Sequence, residues 1–195
     1  PAEPEEAEEA EAIKVAVIGK PNAGKSSLVN RVAGQERAIV SDIAGTTRDA
    51  IDTPVHNEHG DFVFIDTAGL RRRSRVDDAI EKYSVLRAQM AVERADVCVI
   101  MIDATEGFTE QDSKVAGIAH EQGKGCIIAV NKWDAVEKDD KTMYRQKEKI
   151  RQVLSFMPYA EILFISVKTS QRLSKIFETI DVVLENNSMR VATGV

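Results

Sequence analysis

Apolar residues in this chain gather into short β-branched or aromatic runs separated by polar and amphipathic stretches. The runs are Lys14 to Ile18 (KVAVI), residues 51 to 55, residues 62 to 65, Val97 to Ile102, Cys126 to Val130 and Ile162 to Ile165. Their length and composition predict six strands. A helix is predicted to start at Ser26 and run through Val32, and further helices are predicted near 78 to 93, 110 to 122, 142 to 156 and 172 to 185. The alternation implies βα units and a mostly parallel sheet. The runs at 51 to 55 and 62 to 65 flank the turn-forming HNEHGD, so this pair is predicted to be an antiparallel hairpin. In helix 78 to 93, Ile80, Tyr83, Leu86 and Met90 recur every three or four residues and are expected to face the sheet. The polar, Gly/Thr-rich segment Gly34 to Arg48 is expected to be a mobile loop.

Length and charge refine this picture. With 195 residues, 43% of them hydrophobic, the chain is long enough for one substantial core. The formal charge of -6 resides in residues 1 to 12, which hold six Glu and no Lys or Arg. That stretch lacks the aromatic and β-branched residues needed to offset ordering entropy, and is expected to be a disordered linker that either stays solvated or docks on a basic surface. No apolar stretch approaches the roughly 20 residues of a spanning helix, and nothing at the start reads as a signal peptide. The expectation is a soluble, cytoplasmic protein with no membrane partner. Cys98 and Cys126 sit inside apolar runs, which suits buried reduced thiols. His56, His59 and His120 have no metal-ligand spacing and are expected to be exposed.

The chemistry concentrates at the predicted carboxyl ends of strands. Gly19-Lys20-Pro21-Asn22-Ala23-Gly24-Lys25-Ser26 fits G-x-x-x-x-G-K-[ST] and lies between a predicted strand and a predicted helix. Such a loop crowds main-chain N–H groups around phosphates, and the helix behind it presents its positive end to the same anion. Lys25 would bridge the β- and γ-phosphates, the Ser26 hydroxyl would bind Mg²⁺, and Ser27 would continue the anion-binding turn. The bland alternative is a Gly-rich turn that binds nothing. Asp66-Thr67-Ala68-Gly69 ends another strand. Asp66 would serve Mg²⁺ in its outer sphere, and the Gly69 N–H would sense a γ-phosphate.

Asn131-Lys132-Trp133-Asp134 follows the strand CIIAV. Asp134 offers two acceptors for the N1–H and N2 amino group of guanine, a donor pair that adenine lacks. Asn131 can tie this loop to the phosphate loop, and the aliphatic stem of Lys132 can cover the base. Trp133 is expected to be a packed or partly exposed loop aromatic rather than a stacking platform. Ser166-Val167-Lys168, after the last strand, could offer a backbone N–H to guanine O6.

These residues resemble the Ras-like translation-factor GTPases, and within them the EngA (Der) family of bacterial ribosome-assembly GTPases, in the TrmE-Era-EngA group. The resemblance rests on GKPNAGKSSLVN (19 to 30), VSDIAGTTRDAID (40 to 52), FIDTAGLRRR (64 to 73), IEKYSVLRA (80 to 88) and NKWD (131 to 134), and is strongest to that family's second GTPase domain. It implies a Ras-like P-loop fold with a mostly parallel six-stranded sheet, one antiparallel strand and helices on both faces. It also implies a GTPase domain over 13 to 188, with 1 to 12 linking to a neighbouring GTPase domain and 189 to 195 leading into a KH-like domain. GTP and GDP would be its ligands, and the large ribosomal subunit and its rRNA its partners.

By the same resemblance, Thr47 (or Thr46) would complete Mg²⁺ coordination. Asn22 and the carbonyls of Ser41 and Ile43 would bind K⁺, implying K⁺-stimulated hydrolysis. Leu70 stands where Ras carries its water-orienting glutamine, so intrinsic catalysis should be slow. Lys25, Thr47, Gly69 and Asn22 would form the catalytic set. The chain departs from the family pattern at Ala23, where valine is common, and over Ser166 to Ser170, where a Ser-Ala start and a later glycine are usual. Two functions remain open at this point, a GTPase switch in ribosome assembly and a nucleotide-sensing module with negligible turnover. Arg71, Arg72, Arg73 and Arg75 form either a nucleic-acid surface or a solvated loop.

Overall fold

A computed structural model describes residues 12–34, 51–68, 70 and 85–193, with backbone alone for 190–193. Ser41, Ile43, Thr46, Thr47, Gly69, Arg71, Arg72, Arg73, Arg75, Ile80 and Tyr83 lie outside the described residues, as do nearly all of the acidic segment 1 to 12 and the loop 34 to 48.

In chain order the elements are β1 (Ile13–Gly19), α1 (Lys25–Gly34), β2 (Thr53–Asn57), β3 (Gly60–Phe64), α2 (Val85–Arg94), β4 (Val97–Asp103), α3 (Glu110–Glu121), β5 (Gly125–Asn131), α4 (Thr142–Val153), β6 (Glu161–Phe164) and α5 (Leu173–Thr193). The strands form one sheet in the order β2-β3-β1-β4-β5-β6. Among the described residues, the β2–β3 pair is antiparallel and the other strand pairs are parallel. The α/β expectation holds, six strands included. The hairpin is tighter than predicted. Asn57 pairs with Gly60, so the strands extend into HNEHGD and leave Glu58 and His59 as the turn.

The two-residue period of the central strands sorts the core into two layers. Cys98, Ile100 and Ile102 pack with α2, α3 and α4 on one face. Val97, Val99 and Met101 pack with α1 and α5 on the other. Because β2 and β3 lie on one side of β1 while β4, β5 and β6 lie on the other, β1 and β4 meet where the order reverses. Ligands of open parallel sheets bind outside the carboxyl ends of the strands at such a point.

Three expectations are corrected. Leu86 and Met90 are 67% and 58% exposed, not core. The buried side of α2 is instead Val92, joined by Ala88 and Ala91 and by Ala95 just beyond the helix. Small residues allow the helix to approach the sheet closely, so volume rather than hydrophobicity chose the face. His59 and His120 are not exposed. His59 is half-buried and stacks on Phe177 at 6.1 Å. His120 bonds the Tyr159 hydroxyl at 2.7 Å and sits against Phe156. His56 is exposed, beside Asp61. The last helix runs to Thr193 rather than ending near 185.

Cys98 and Cys126 are register partners in β4 and β5, and both are buried. Burial pushes the Cys98 thiol well above its ordinary range, which keeps it unreactive. Trp133 is buried against Phe164, with centroids 4.7 Å apart, so it is a packed aromatic. No helix among the described residues is long and apolar enough to cross a membrane.

Candidate functional site

The turn after β1 carries the phosphate-loop residues directly into α1. Gly24 adopts φ +103, and a Cβ there would stand 2.2 Å from the Asn131 amide nitrogen. Only glycine permits both the backbone and the approach. A Cβ on Gly19 would meet the Met101 carbonyl at 2.7 Å, so the loop also needs glycine where it leaves the sheet. Lys25 is buried at the first position of α1, and its ammonium donates to the carbonyls of Gly19 at 2.6 Å and Lys20 at 3.3 Å. Ser26 is half-buried and Ser27 exposed on the same first turn. Ala23 is fully buried, Pro21 is half-buried, and Asn22 is exposed at φ 68.

Lys20 does something its sequence position did not suggest. It is 6% exposed and pairs with Glu106 at 2.5 Å and Asp112 at 3.6 Å. Burial opposes its charge, but Glu106 and Asp112 outweigh that and hold its pKa above the ordinary value. Asp112 belongs to a capping box. Thr109 Oγ1 accepts from the Asp112 N–H, and the Asp112 carboxylate accepts from the Thr109 N–H. The side chain of Lys20 therefore anchors the loop to the start of α3.

Asn131 is the hub of the opposite end. It is 3% exposed, donates from its amide to the Ala23 carbonyl at 3.1 Å and accepts from the Val167 N–H at 3.1 Å. One side chain thus joins the phosphate loop, NKWD and the segment after β6. Lys132, at φ 63, donates to the Asn22 carbonyl at 2.9 Å and to Asp103 at 2.8 Å. Asp103 ends β4 and is 4% exposed. Burial would raise its pKa, but bonds from Lys132 and Thr105 prevail and hold the carboxyl below the ordinary range. Asp134 is exposed and accepts from the Ser166 hydroxyl at 2.7 Å. Of the three residues expected to cap the base, Ser166 bonds through its N–H to Gln171 and Val167 to Asn131, while Lys168 lines the cleft.

That cleft has a volume of about 660 Å³. Gly24, Ser27, Asn131, Lys132, Asp134, Val167 and Lys168 line it, as expected from sequence, together with Asn30, Arg31 and Ala135, which were not. Ser27 and Arg31 are four apart on α1, a spacing that could have revealed the shared face. The Asn30 amide nitrogen is buried and has no partner among the described residues.

Asp66, Thr67, Ala68 and Leu70 are not among the residues that line this cleft. Thr67 is 1% exposed; its hydroxyl meets that of Thr53, and its N–H donates to the Ile51 carbonyl at 2.6 Å. The Ala68 N–H reaches the same carbonyl at 3.1 Å, and Leu70 packs against the core layer of α1 and α5. Asp66 adopts φ 54, and its carboxylate accepts two bonds from Arg87, at 2.7 and 3.0 Å. Its N–H donates to Asp52, which is itself held by Arg94.

The model of the 50S ribosome-binding GTPase family matches residues 14–132, more than half of the chain. The chain is 68% identical over 182 residues to GTPase Der of Agathobacter rectalis, covering 93% of the chain and 41% of that protein. It is 60% identical over 195 residues to GTPase Der of Lachnoclostridium phytofermentans, covering 100% of the chain and 44% of the relative. The chain thus spans less than half the length of these relatives. Among solved structures, Era in complex with MgGDPNP and part of 16S ribosomal RNA is 27% identical with a TM-score of 0.64, over 89% of this chain and 57% of that one. An Era variant from Aquifex aeolicus bound to GDP and AlF4⁻ is 29% identical with a TM-score of 0.64, over 87% and 56%.

Proposed function

Because the chain belongs to the family of 50S ribosome-binding GTPases, we propose that it binds GTP and GDP in the cleft at the carboxyl edge of its sheet. We further propose that it hydrolyses GTP slowly, as a switch in large ribosomal subunit assembly. The observation that carries this reading is the convergence on Asn131 of the phosphate loop, NKWD and the Ser166 to Lys168 segment. Three segments far apart in sequence meet around one cleft, with Gly24 and Ser27 at one end and Asp134 at the other.

The Asp134 carboxylate gives the guanine edge its acceptors, and the Ser166 hydroxyl orients it. Lys25 would exchange the Gly19 and Lys20 carbonyls for the β- and γ-phosphate oxygens. Magnesium would neutralise charge developing on those oxygens. The oxygen donors Ser26 and Asp66, with Thr47, have the hard character it requires. For Asp66 to serve it, the Arg87 pair must open. Gly69 would contribute its N–H toward the γ-phosphate.

Leu70 supplies no polar group to orient water, which supports a slow intrinsic rate. Asn22, exposed at the rim with its carbonyl braced by Lys132, is the residue we assign to K⁺, together with the carbonyls of Ser41 and Ile43. A cation there would add charge stabilisation beside the phosphates. In the longer protein we expect a neighbouring GTPase domain, a KH-like domain, contact with rRNA and a cytoplasmic location. Single-turnover GTP hydrolysis in K⁺ and in Na⁺ tests the reading. We expect at least about tenfold faster conversion in K⁺. Equal turnover in the two salts would overturn the potassium assignment, and binding without conversion in either would overturn the enzyme.

A further inference from the structure

One charged side chain on the cleft wall belongs to none of the roles above. Arg31 lies in the last turn of α1, exposed and lining the cleft. Its Nε donates to the Ser170 hydroxyl at 2.6 Å, and its Nη2 to the Lys168 carbonyl at 3.4 Å. Both acceptors belong to the loop that leaves β6 and walls the base end.

That loop is an unusual piece of backbone. Ser170 and Arg172 stand at φ 62 and 61, a region that L residues other than glycine adopt at a cost and keep only when their surroundings hold them there. Inside the loop, the Ser170 N–H reaches the Val167 carbonyl at 3.3 Å and the Thr169 N–H reaches the Ser166 hydroxyl at 3.2 Å. Ser166 also holds Asp134, and Val167 is fastened to Asn131. From outside, Arg31 engages the outer half of the loop at Ser170 and Lys168. Glycine would take φ 62 without strain, but it would leave Arg31 without its hydroxyl acceptor.

We infer that Arg31 is a positioning residue that clasps the loop Ser166 to Arg172 against α1 and so slows the release of guanine nucleotide. Helix α1 begins at Lys25, so the clasp ties the element that holds the phosphate end to the loop that walls the base end. It joins the two walls of the cleft independently of Asn131. Arg31 uses two donors of a planar fork on two different acceptors, a geometry that a lysine ammonium cannot reproduce. The inference rests on the proposed binding of guanine nucleotide in this cleft.

Stopped-flow release of fluorescent GDP from the full 195-residue chain provides the test, using wild type, Arg31→Ala, Arg31→Lys, Ser170→Ala and the Arg31→Ala/Ser170→Ala double variant. A hydrogen bond of this exposed kind predicts release about three- to tenfold faster for Arg31→Ala, with association changed less than about twofold. Arg31→Lys should be intermediate. Ser170→Ala, which keeps Arg31 and should fold if Arg31→Ala does not, should speed release in the same direction. The double variant should release no faster than the faster single variant, because Arg31→Ala already removes the contact that Ser170→Ala breaks. Wild-type release from Arg31→Ala, or effects that multiply in the double variant, would overturn the clasp. Failure of the wild type to bind GDP would instead overturn the nucleotide reading beneath it.

Discussion

At the base end of the cleft, Asn131 bonds Ala23 and Val167, Ser166 bonds Asp134, and Asp103 holds Lys132, all between protein groups that leave the cleft open. At the phosphate and metal end, the groups expected to do chemistry are themselves occupied. Lys25 donates to loop carbonyls, and Asp66 is gripped by Arg87. On the proposed reading the first arrangement is preorganised, so recognising guanine would cost little rearrangement. On the same reading the second would exchange protein contacts for ligand contacts, giving two states whose balance the γ-phosphate and metal would shift. A switch needs both, an end that holds the nucleotide in either state and an end that changes.

The largest expected effect comes from breaking the base end at its hub. Asn131→Ala would leave the buried Ala23 carbonyl and Val167 N–H without their partner. Stability should fall by roughly 2 to 4 kcal/mol in urea unfolding, and GDP affinity should fall at least about hundredfold by titration. A variant of near-normal affinity would show that the three segments do not depend on that side chain. A smaller effect should follow from releasing the metal end. Arg87 is half exposed and its pair is solvent-screened, so Arg87→Ala should lower the Mg²⁺ concentration that slows GDP release by no more than about fivefold. Unchanged Mg²⁺ dependence would mean that Asp66 is not held back by this arginine.

The smallest effect concerns the segment that follows NKWD. Asp139 accepts from Arg145, the Lys141 N–H and Thr142, which lowers its pKa from 3.8 to about 2. A carboxyl depressed in the folded state contributes stability above its unfolded value and loses it as pH falls through the folded one. Asp139→Asn should therefore narrow its stability deficit against wild type as pH drops from about 4 to about 2. A deficit that stays constant over that window, in thermal melts, would mean that these bonds do not stabilise the folded chain through the Asp139 carboxylate.

Much of this was legible in the chain because the signals are local. A glycine at φ +103, a lysine opening a helix, and Asn and Asp at a strand's end each need only their neighbours to be recognised. The capping box at Thr109 and Asp112 could have been read the same way, and Asp103 stood in view as a carboxylate ending an apolar strand. The face of α2 was misread because periodicity weighs hydrophobicity, whereas the sheet admitted Ala88, Ala91 and Val92 and left Leu86 and Met90 outside. His120 was misread because its partner, Tyr159, is distant in sequence.

By itself the sequence determined the strand–loop–helix order, the residues at the carboxyl edge and the chemistry each can perform, since these follow from backbone preferences and side-chain type. The tertiary structure decided which of those groups are engaged and by what. Lys20 goes to Glu106 and Asp112, Asp66 to Arg87, and Arg31 to Ser170. Each pair joins residues 21 to 139 positions apart in the chain. Such partnerships depend on how the layers pack and on which charges meet at the sheet's edge, and no local pattern encodes that.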